Sequence, residues 1–301
     1  MCDLSNPIYH DTDKAREHLE AIRWPDGPVC PHCGVVDNAV LLSGKSTRPG
    51  VYKCRDCRKP FSVTVGTVFE RSKIPLNKWL LATHLLTSSK KGVSSHQIHR
   101  NLGVTYKTAW FMTHRIRHAM ESTDTTPLGS GGGIVEADET YIGRRKGVPK
   151  KRAGGGHKQK VFSLVERGGK VKSMHISGSM YEDVKQGLTN VSPDAHLMTD
   201  QATVYMNLGK QFASHQTVNH GIMEWKRGNA HTNTIEGYFS IFKRGMKGVY
   251  QHCGEDHLHR YLAEFDFRYN HRSALKIDDK ERARIALEGI GGKRLTYRRP
   301  A

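Results

Sequence analysis

The sequence predicts a multidomain α/β protein in which a small cysteine-bearing module and a helical hairpin precede a larger α/β domain. Three observations carry that expectation: two Cys-x-x-Cys pairs near the start, a Gly-rich break at residues 122–133, and a regular succession of strand and helix patterns beyond it. The length of 301 residues suits about two ordinary domains and a small extra module. Lys and Arg number 47 against 29 Asp and Glu, a formal net charge of +18. An excess of that size favours a polyanionic partner, because each neutralised phosphate releases condensed counterions. Charge alone does not separate DNA from RNA or an anionic membrane surface. Apolar residues make up 37% of the chain, enough for ordinary cores, so wholesale disorder is not expected. The first residues lack a basic stretch followed by an apolar run, and no stretch approaches about 18 consecutive apolar residues. Neither a secretory signal nor a membrane span is expected, which leaves a soluble, basic protein of the cytoplasm.

The first element is the cysteine module, expected over residues 17–66. Cys30-Pro31-His32-Cys33 and Cys54-Arg55-Asp56-Cys57 are separated by 20 residues. A two-residue gap lets a tight turn aim both thiolates at one point, and two such knuckles complete a tetrahedral zinc site. Two buried reduced pairs or a redox dithiol would not explain the duplication. Four thiolates fill the coordination shell, so the zinc is expected to be structural, in a zinc ribbon, with His32 on the surface. Cys2 and Cys253 read as free thiols. Residues 51–54 and 61–65 alternate as short strands. Lys53, Arg55, Arg58 and Lys59 surround the second knuckle, either for phosphate contact or as a merely solvated edge.

Residues 67–121 read as helical. Leu76, Trp79, Leu80 and Thr83 precede Leu85 and Leu86; Ile98, Leu102, Val104, Ala109, Met112 and Ile116 then describe a helix, a turn at Gly103 and a longer second helix. That is the layout of a helix-turn-helix, whose second helix presents its first residues to the major groove. Thr105, Tyr106, Lys107 and Thr108 occupy the reading positions, and Arg115, Arg117 and His118 add charge further along. Plain structural packing is the alternative; the neighbouring cysteine module and the net charge favour DNA.

The polar, aperiodic, Gly-rich run 122–133 reads as a linker. Beyond it, over residues 134–272, strands are expected at 134–142, 161–166 and 170–177, a helix at 181–188, a strand at 196–199 and a helix at 202–209. A fifth strand at 216–219 and helices at 233–246 and 256–269 complete the series. Three strands, helix, strand, helix, strand, helix is the order of a ribonuclease-H-like α/β domain.

Three carboxylates stand out in that order. Asp138 lies in the first strand and Asp200 ends the fourth, its neighbour in such a sheet, while Glu236 opens a helix facing the same end. Acids meeting at one point repel unless they bind hard cations, and oxygen donors suit magnesium or manganese. Two such ions activate a water or a 3′-hydroxyl and stabilise the leaving oxygen. Asn233-x-x-Glu236 also satisfies a capping-box pattern that needs no metal. Lys243, seven residues after Glu236, falls on the same helix face about 10 Å further along, placed for a DNA phosphate or as an ordinary surface lysine. Ile235, Phe239, Phe242 and Met246 form the opposing core stripe. Glu136 shares the face of Asp138 and rivals it; Glu139 points the other way. His231 and Asn233 are candidates for supporting contacts.

At these residues the chain resembles a bacterial insertion-sequence transposase of the DDE type, in the group carrying an N-terminal zinc ribbon. The resemblance rests on the two Cys pairs, on the runs beginning Glu136-Ala137-Asp138-Glu139, Thr199-Asp200-Gln201 and Val218-Asn219-His220, and on His231 through Ser240 with Lys243-Arg244-Gly245. It continues through the stretch from Arg260 to Arg272. It implies Asp138, Asp200 and Glu236 as metal ligands for Mg2+ or Mn2+, with Lys243 as a trailing basic residue. Some relatives carry asparagine as the third catalytic residue, which keeps Asn233 open beside Glu236. It also implies cleavage of element ends, joining to target DNA, a homo-oligomer in the DNA complex, and a place at the bacterial nucleoid. A sequence-specific regulator with an inactive third domain is the alternative, and a nuclease that cuts without joining is another. Arg144, Arg145 and Lys146 begin a basic loop running to Arg152, with Lys158 and Lys160 beyond it, suited to a phosphate backbone like Lys243 and Arg244. Residues 273–301 read as a basic tail with a short helix at 278–287.

Overall fold

The computed structural model describes residues 4–150 and 155–296, which fall into two compact units, residues 1–121 with 273–301 and residues 122–272. Cys2, Lys151, Arg152, Gly154, Arg298 and Arg299 lie outside the described residues. No helix among those described is long and apolar enough to cross a membrane.

In the first unit, α1 (Thr12–Arg23) starts at Asp11, whose carboxylate accepts the N–H groups of Asp13 and Lys14 at 2.7 and 2.9 Å. Three short antiparallel strands follow: β1 (Ala39–Leu41), β2 (Tyr52–Cys54) and β3 (Pro60–Phe61). Trp24, Tyr52 and Phe61 pack edge-on and stacked, with ring centroids 5.4 to 5.8 Å apart, behind the cysteine knuckles. Then come α2 (Leu76–Ser88), α3 (Ser95–Leu102) and α4 (Tyr106–Ala119). The turn between α3 and α4 uses Gly103 at φ +59°, a left-handed position that glycine adopts without strain. Thr105 caps α4, its hydroxyl accepting the Thr108 N–H at 3.2 Å.

The expectation that Arg115 and Arg117 carry exposed charge is corrected. Both are buried, because α4 runs inward beyond its first turns. Arg115 donates to the carbonyls of Leu295 and Glu70, each at 3.1 Å, and lies over the Phe111 ring. Arg117 donates to the Thr113 hydroxyl at 3.2 Å. These guanidiniums bind backbone and side-chain oxygens, so they are part of the core.

The second unit opens with another correction. Residues 122–127 of the run read as a linker are exposed and irregular, but residues 128–133 are built into this unit. Leu128 is buried and pairs with residues 190 and 192 through backbone hydrogen bonds of 2.8 and 2.9 Å. Gly129 N–H donates to Glu166, and the N–H groups of Gly131 and Gly132 donate to Asp194 at 2.6 and 3.3 Å. Gly129 has φ +74°, and a Cβ there would stand 2.7 Å from Ala195 and Val135. Gly129→Ala is expected to cost more than about 1 kcal/mol in urea denaturation, since both its backbone and its neighbours refuse a methyl group.

A five-stranded sheet forms the centre of this unit. Its strands are β4 (Ile134–Ile142), β5 (Gln159–Glu166), β6 (Val171–Ile176), β7 (His196–Asp200) and β8 (Ser214–Val218), in spatial order β6-β5-β4-β7-β8. β4, β5 and β6 are antiparallel; β4, β7 and β8 are parallel. One face, through Val135, Ala137 and Leu197, packs on α5 (Met180–Leu188) and α6 (Thr203–Leu208). The other, through Ile142, Val161 and Val165, packs on α7 (Asn233–Gly245) and α8 (Leu258–Asn270), where Ile235, Phe239, Phe242 and Met246 are buried.

A polar knot lies within that second layer. Asp266 on α8 accepts from the Tyr238 hydroxyl at 2.6 Å, the Ser173 hydroxyl at 2.8 Å and the Ser173 N–H at 2.7 Å. Burial pushes its carboxyl up to about 6, against the pull of those donors. The folded state therefore keeps a proton that the unfolded chain has lost, and stability falls as pH rises from about 4 through about 6. Asp266→Asn is expected to flatten that slope, by an amount of the order of 1–3 kcal/mol in denaturation measured across this range.

The segment read as a tail returns to the first unit as α9 (Asp279–Glu288). Ala283, Ala286 and Leu287 are buried, Arg282 donates to the Thr87 carbonyl at 3.2 Å, and Lys293 donates to the carbonyls of Ala119 and Glu121 at 3.0 and 2.7 Å. Its apolar face and its cations both find partners there, so the segment up to residue 296 is structural.

Candidate active site

β4 and β7 run parallel with Glu136 opposite Met198, a register that carries Asp138 and Asp200 to the same end and the same face of the sheet. That face is the one α7 covers. Asp138 is half-buried, and its carboxylate accepts the Glu139 N–H at 2.7 Å. Burial pushes its carboxyl up to about 7; the Glu139 N–H opposes this, and the charges of Glu139, Asp200 and Glu236 add to it. Asp200 ends β7 and accepts the Ala202 N–H at 2.9 Å, which turns the chain into α6. Glu236, in the first turn of α7, accepts from the Thr232 hydroxyl at 2.9 Å and stands 3.5 Å from His220 Nε2. Asn233 is the first residue of α7 rather than its cap; the cap is Thr232, whose own side chain makes no capping hydrogen bond, so the capping-box geometry is not formed.

Asp138 feels the charges of Asp200 and Glu236. Among the described residues only the four cysteines bring three or more ligand atoms within 4.8 Å of one another. A divalent cation between carboxylates would offset their mutual repulsion. An all-oxygen donor set of this kind suits magnesium or manganese.

Glu136, the rival of Asp138, is fully buried and fully engaged. It accepts from Arg167 at 2.6 Å, the Thr234 hydroxyl at 2.8 Å and the Ile235 N–H at 2.9 Å, with His231 Nδ1 at 3.2 Å. A carboxylate so placed satisfies the N-terminus of α7, where the helix favours negative charge, and ties that helix to β4. His231 thus meets Glu136, and its carbonyl accepts from Arg167 at 2.9 Å; Asn233 is exposed. Glu139 leaves β4 on the opposite face and takes the hydroxyl of the buried Tyr205 at 2.5 Å. Burial pushes its carboxyl up to about 7, with Tyr205 pulling it down and Asp200 pushing further. Sequence reasoning missed this pair and His220. Nothing in the sequence ties Tyr205 to Glu139 or His220 to Glu236.

Of the basic candidates in this unit, Lys243 is half-buried beside the Phe239 ring, 5.9 Å from its centroid, and makes no ion pair among the described residues; Arg244 is exposed. Arg144 and Lys146 are exposed and Arg145 half-buried, on a loop held by Arg144 to the Val148 carbonyl and by the Lys146 N–H to Glu255, each at 3.1 Å. In the first unit, Thr105, Tyr106 and Lys107 are exposed at the start of α4 and Thr108 is half-buried, with Tyr106 stacked on His96 at 4.2 Å. Lys53, Arg55, Arg58 and Lys59 are exposed.

The cysteines form a compact cluster. Cys30 and Cys57 are 3.7 Å apart and Cys33 and Cys54 3.6 Å, with all four sulfurs within 4.8 Å. Burial raises the Cys30 thiol, but the N–H groups of His32 and Cys33 and the neighbouring thiols outweigh it and hold it at about 7. Four cysteine sulfurs at this spacing fit structural zinc and leave no open position. His32 is exposed, and Cys253 is in no disulfide.

Comparison with known proteins finds two family matches and a related full-length protein. Residues 131–270 match the family model of an ISXO2-like transposase domain, and residues 10–60 that of a transposase zinc-ribbon domain. A Halobacterium salinarum protein, described as an uncharacterized protein in transposable element ISH50, is 28% identical over 292 residues, covering 91% of this chain and 95% of its own length.

Proposed function

We propose that this chain, which belongs to the insertion-sequence transposases carrying an N-terminal zinc ribbon, binds the ends of its mobile element, hydrolyses a phosphodiester to expose a 3′-hydroxyl, and joins that end to target DNA. The observation that carries the proposal is the parallel register of β4 and β7, which sets Asp138 level with Asp200 on the face covered by α7, whose first turn bears Glu236. The strand order supports reading residues 134–272 as a ribonuclease-H-like DDE domain. Asp138, Asp200 and Glu236 would hold Mg2+ or Mn2+. When bound, two such ions activate the attacking hydroxyl and stabilise the leaving oxygen.

The chain's own groups do the positioning. Asp138 and Asp200 sit on adjacent strands, so their spacing is set by the sheet. Thr232 and His220 orient Glu236, and Glu136 fixes the helix that bears it. Lys243, which makes no ion pair among the described residues, holds a backbone phosphate beside the acids, and Arg244, Arg144, Arg145 and Lys146 extend the cationic surface. In the first unit α3 and α4 act as a helix-turn-helix, with Thr105, Tyr106, Lys107 and Thr108 reading bases beside the zinc ribbon. The protein works as a homo-oligomer on DNA, at the nucleoid. The test is to incubate the purified chain with duplexes carrying the inverted repeats that flank its coding region. With Mg2+ or Mn2+ we expect nicking at the 3′ end and then a joined product. Binding without either would overturn the proposal and leave a DNA-binding regulator.

A further inference from the structure

We infer that the segment between β8 and α7, residues 219–232, is a rigid finger that inserts apolar side chains into a base step of the DNA beside the scissile phosphate. Ile222, Met223 and Trp225 are 72%, 80% and 57% exposed, and no other stretch of the described residues gathers three large apolar side chains so exposed within four positions. Single exposed apolar residues are ordinary, whereas a cluster marks a binding surface.

The loop that carries them is braced. Asn219 N–H donates to the Glu224 carboxylate at 3.1 Å, and Glu224 N–H donates back to the Asn219 carbonyl at 3.0 Å. Arg227 donates to the Thr217 carbonyl on β8 at 2.8 Å, and Arg227 and Ala230 exchange two backbone bonds of 2.9 Å. Met223 is held at φ +60°, a conformation that a methionine rarely adopts, so the loop rather than the residue sets its outward direction.

The finger is continuous with the candidate active site. The Trp225 ring packs on His220 with centroids 4.9 Å apart, and His220 Nε2 stands 3.5 Å from the Glu236 carboxylate. DNA whose phosphate reaches Glu236 therefore passes the tip, where Lys226 and Arg227 are exposed. Cations that hold the backbone while an apolar or aromatic side chain takes a base's place in the stack are the working parts of a DNA wedge. The same charges, on a chain of +18, disfavour a second copy of this protein as the occupant. The inference rests on the function proposed above and adds how the substrate is opened.

The test compares wild type with an Ile222→Ser, Met223→Ser double variant and with Trp225→Ala, on element ends that are fully paired or carry a mismatch at the terminal base pairs. We expect the variants to lose about 10- to 100-fold in cleavage of paired ends and to recover most of it on mismatched ends, because the mismatch supplies the unstacking they no longer provide. Equal loss on both substrates, or no loss on either, would overturn the wedge. A 2-aminopurine at the same position, read on binding in Ca2+, should brighten with wild type and stay dark with the variants. That readout needs no catalysis, so a wild type that cuts nothing defeats the proposed function while the fluorescence still decides the wedge.

Discussion

Asp138→Asn, Asp200→Asn and Glu236→Gln are each expected to lower strand cleavage by at least about 10³-fold, since one lost ligand charge removes several kcal/mol of transition-state stabilisation. Binding of the element ends should persist, because the residues proposed to read bases, Thr105 to Thr108, lie in the other unit. Stability gives a second, independent signature. Burial and three neighbouring carboxylates push the Asp138 carboxyl up to about 7, so its ionised form strains the folded state near neutral pH. Asp138→Asn removes that charge and is expected to raise the melting temperature while abolishing cleavage. A residue kept for structure would lose stability along with activity, whereas one kept for chemistry trades one for the other. Calorimetry and a gel-based cleavage assay on the same preparation check both halves.

Zinc removal carries the other large effect. Four sulfurs within 4.8 Å hold the knuckles together, and the short strands β1 to β3 contribute little more than the Trp24, Tyr52 and Phe61 cluster. Zinc binding in such sites contributes about 10–16 kcal/mol, more than a module of this size gains from its core. Strong chelation, or Cys54→Ser, is therefore expected to unfold the ribbon and abolish binding of element ends. The second unit should keep its own melting transition. One zinc per chain by elemental analysis, released as binding is lost, is the expected result.

Much of the architecture was legible in the sequence because it is written in local patterns. The strands of the second unit show as apolar runs, and α7 and α8 show as helical stripes, so their order could be read and the ends of Asp138 and Asp200 aligned. The Cys pairs needed only their spacing. What escaped depends on partners far away in the chain. The Gly-rich run reads as a linker by composition, yet Asp194 and Glu166 satisfy its N–H groups. Arg115 and Arg117 read as surface charge because nothing local announces the carbonyls and hydroxyl that receive them. Glu136 and Asp138 share a face two residues apart, and only the packing of α7 separates a fully bonded carboxylate from one facing two other acids. Nothing near His220 in the sequence announces its approach to Glu236, and Ile222, Met223 and Trp225 would pass in any sequence for core.

Three acids from distant parts of the chain are expected to hold divalent ions together. Crystals of the full chain soaked in Mn2+ and measured at the manganese edge test this most directly. Anomalous peaks bounded by the carboxylates of Asp138, Asp200 and Glu236 are expected, lost in Asp138→Asn. Manganese bound elsewhere, with those three side chains left unliganded at saturating metal, would contradict it.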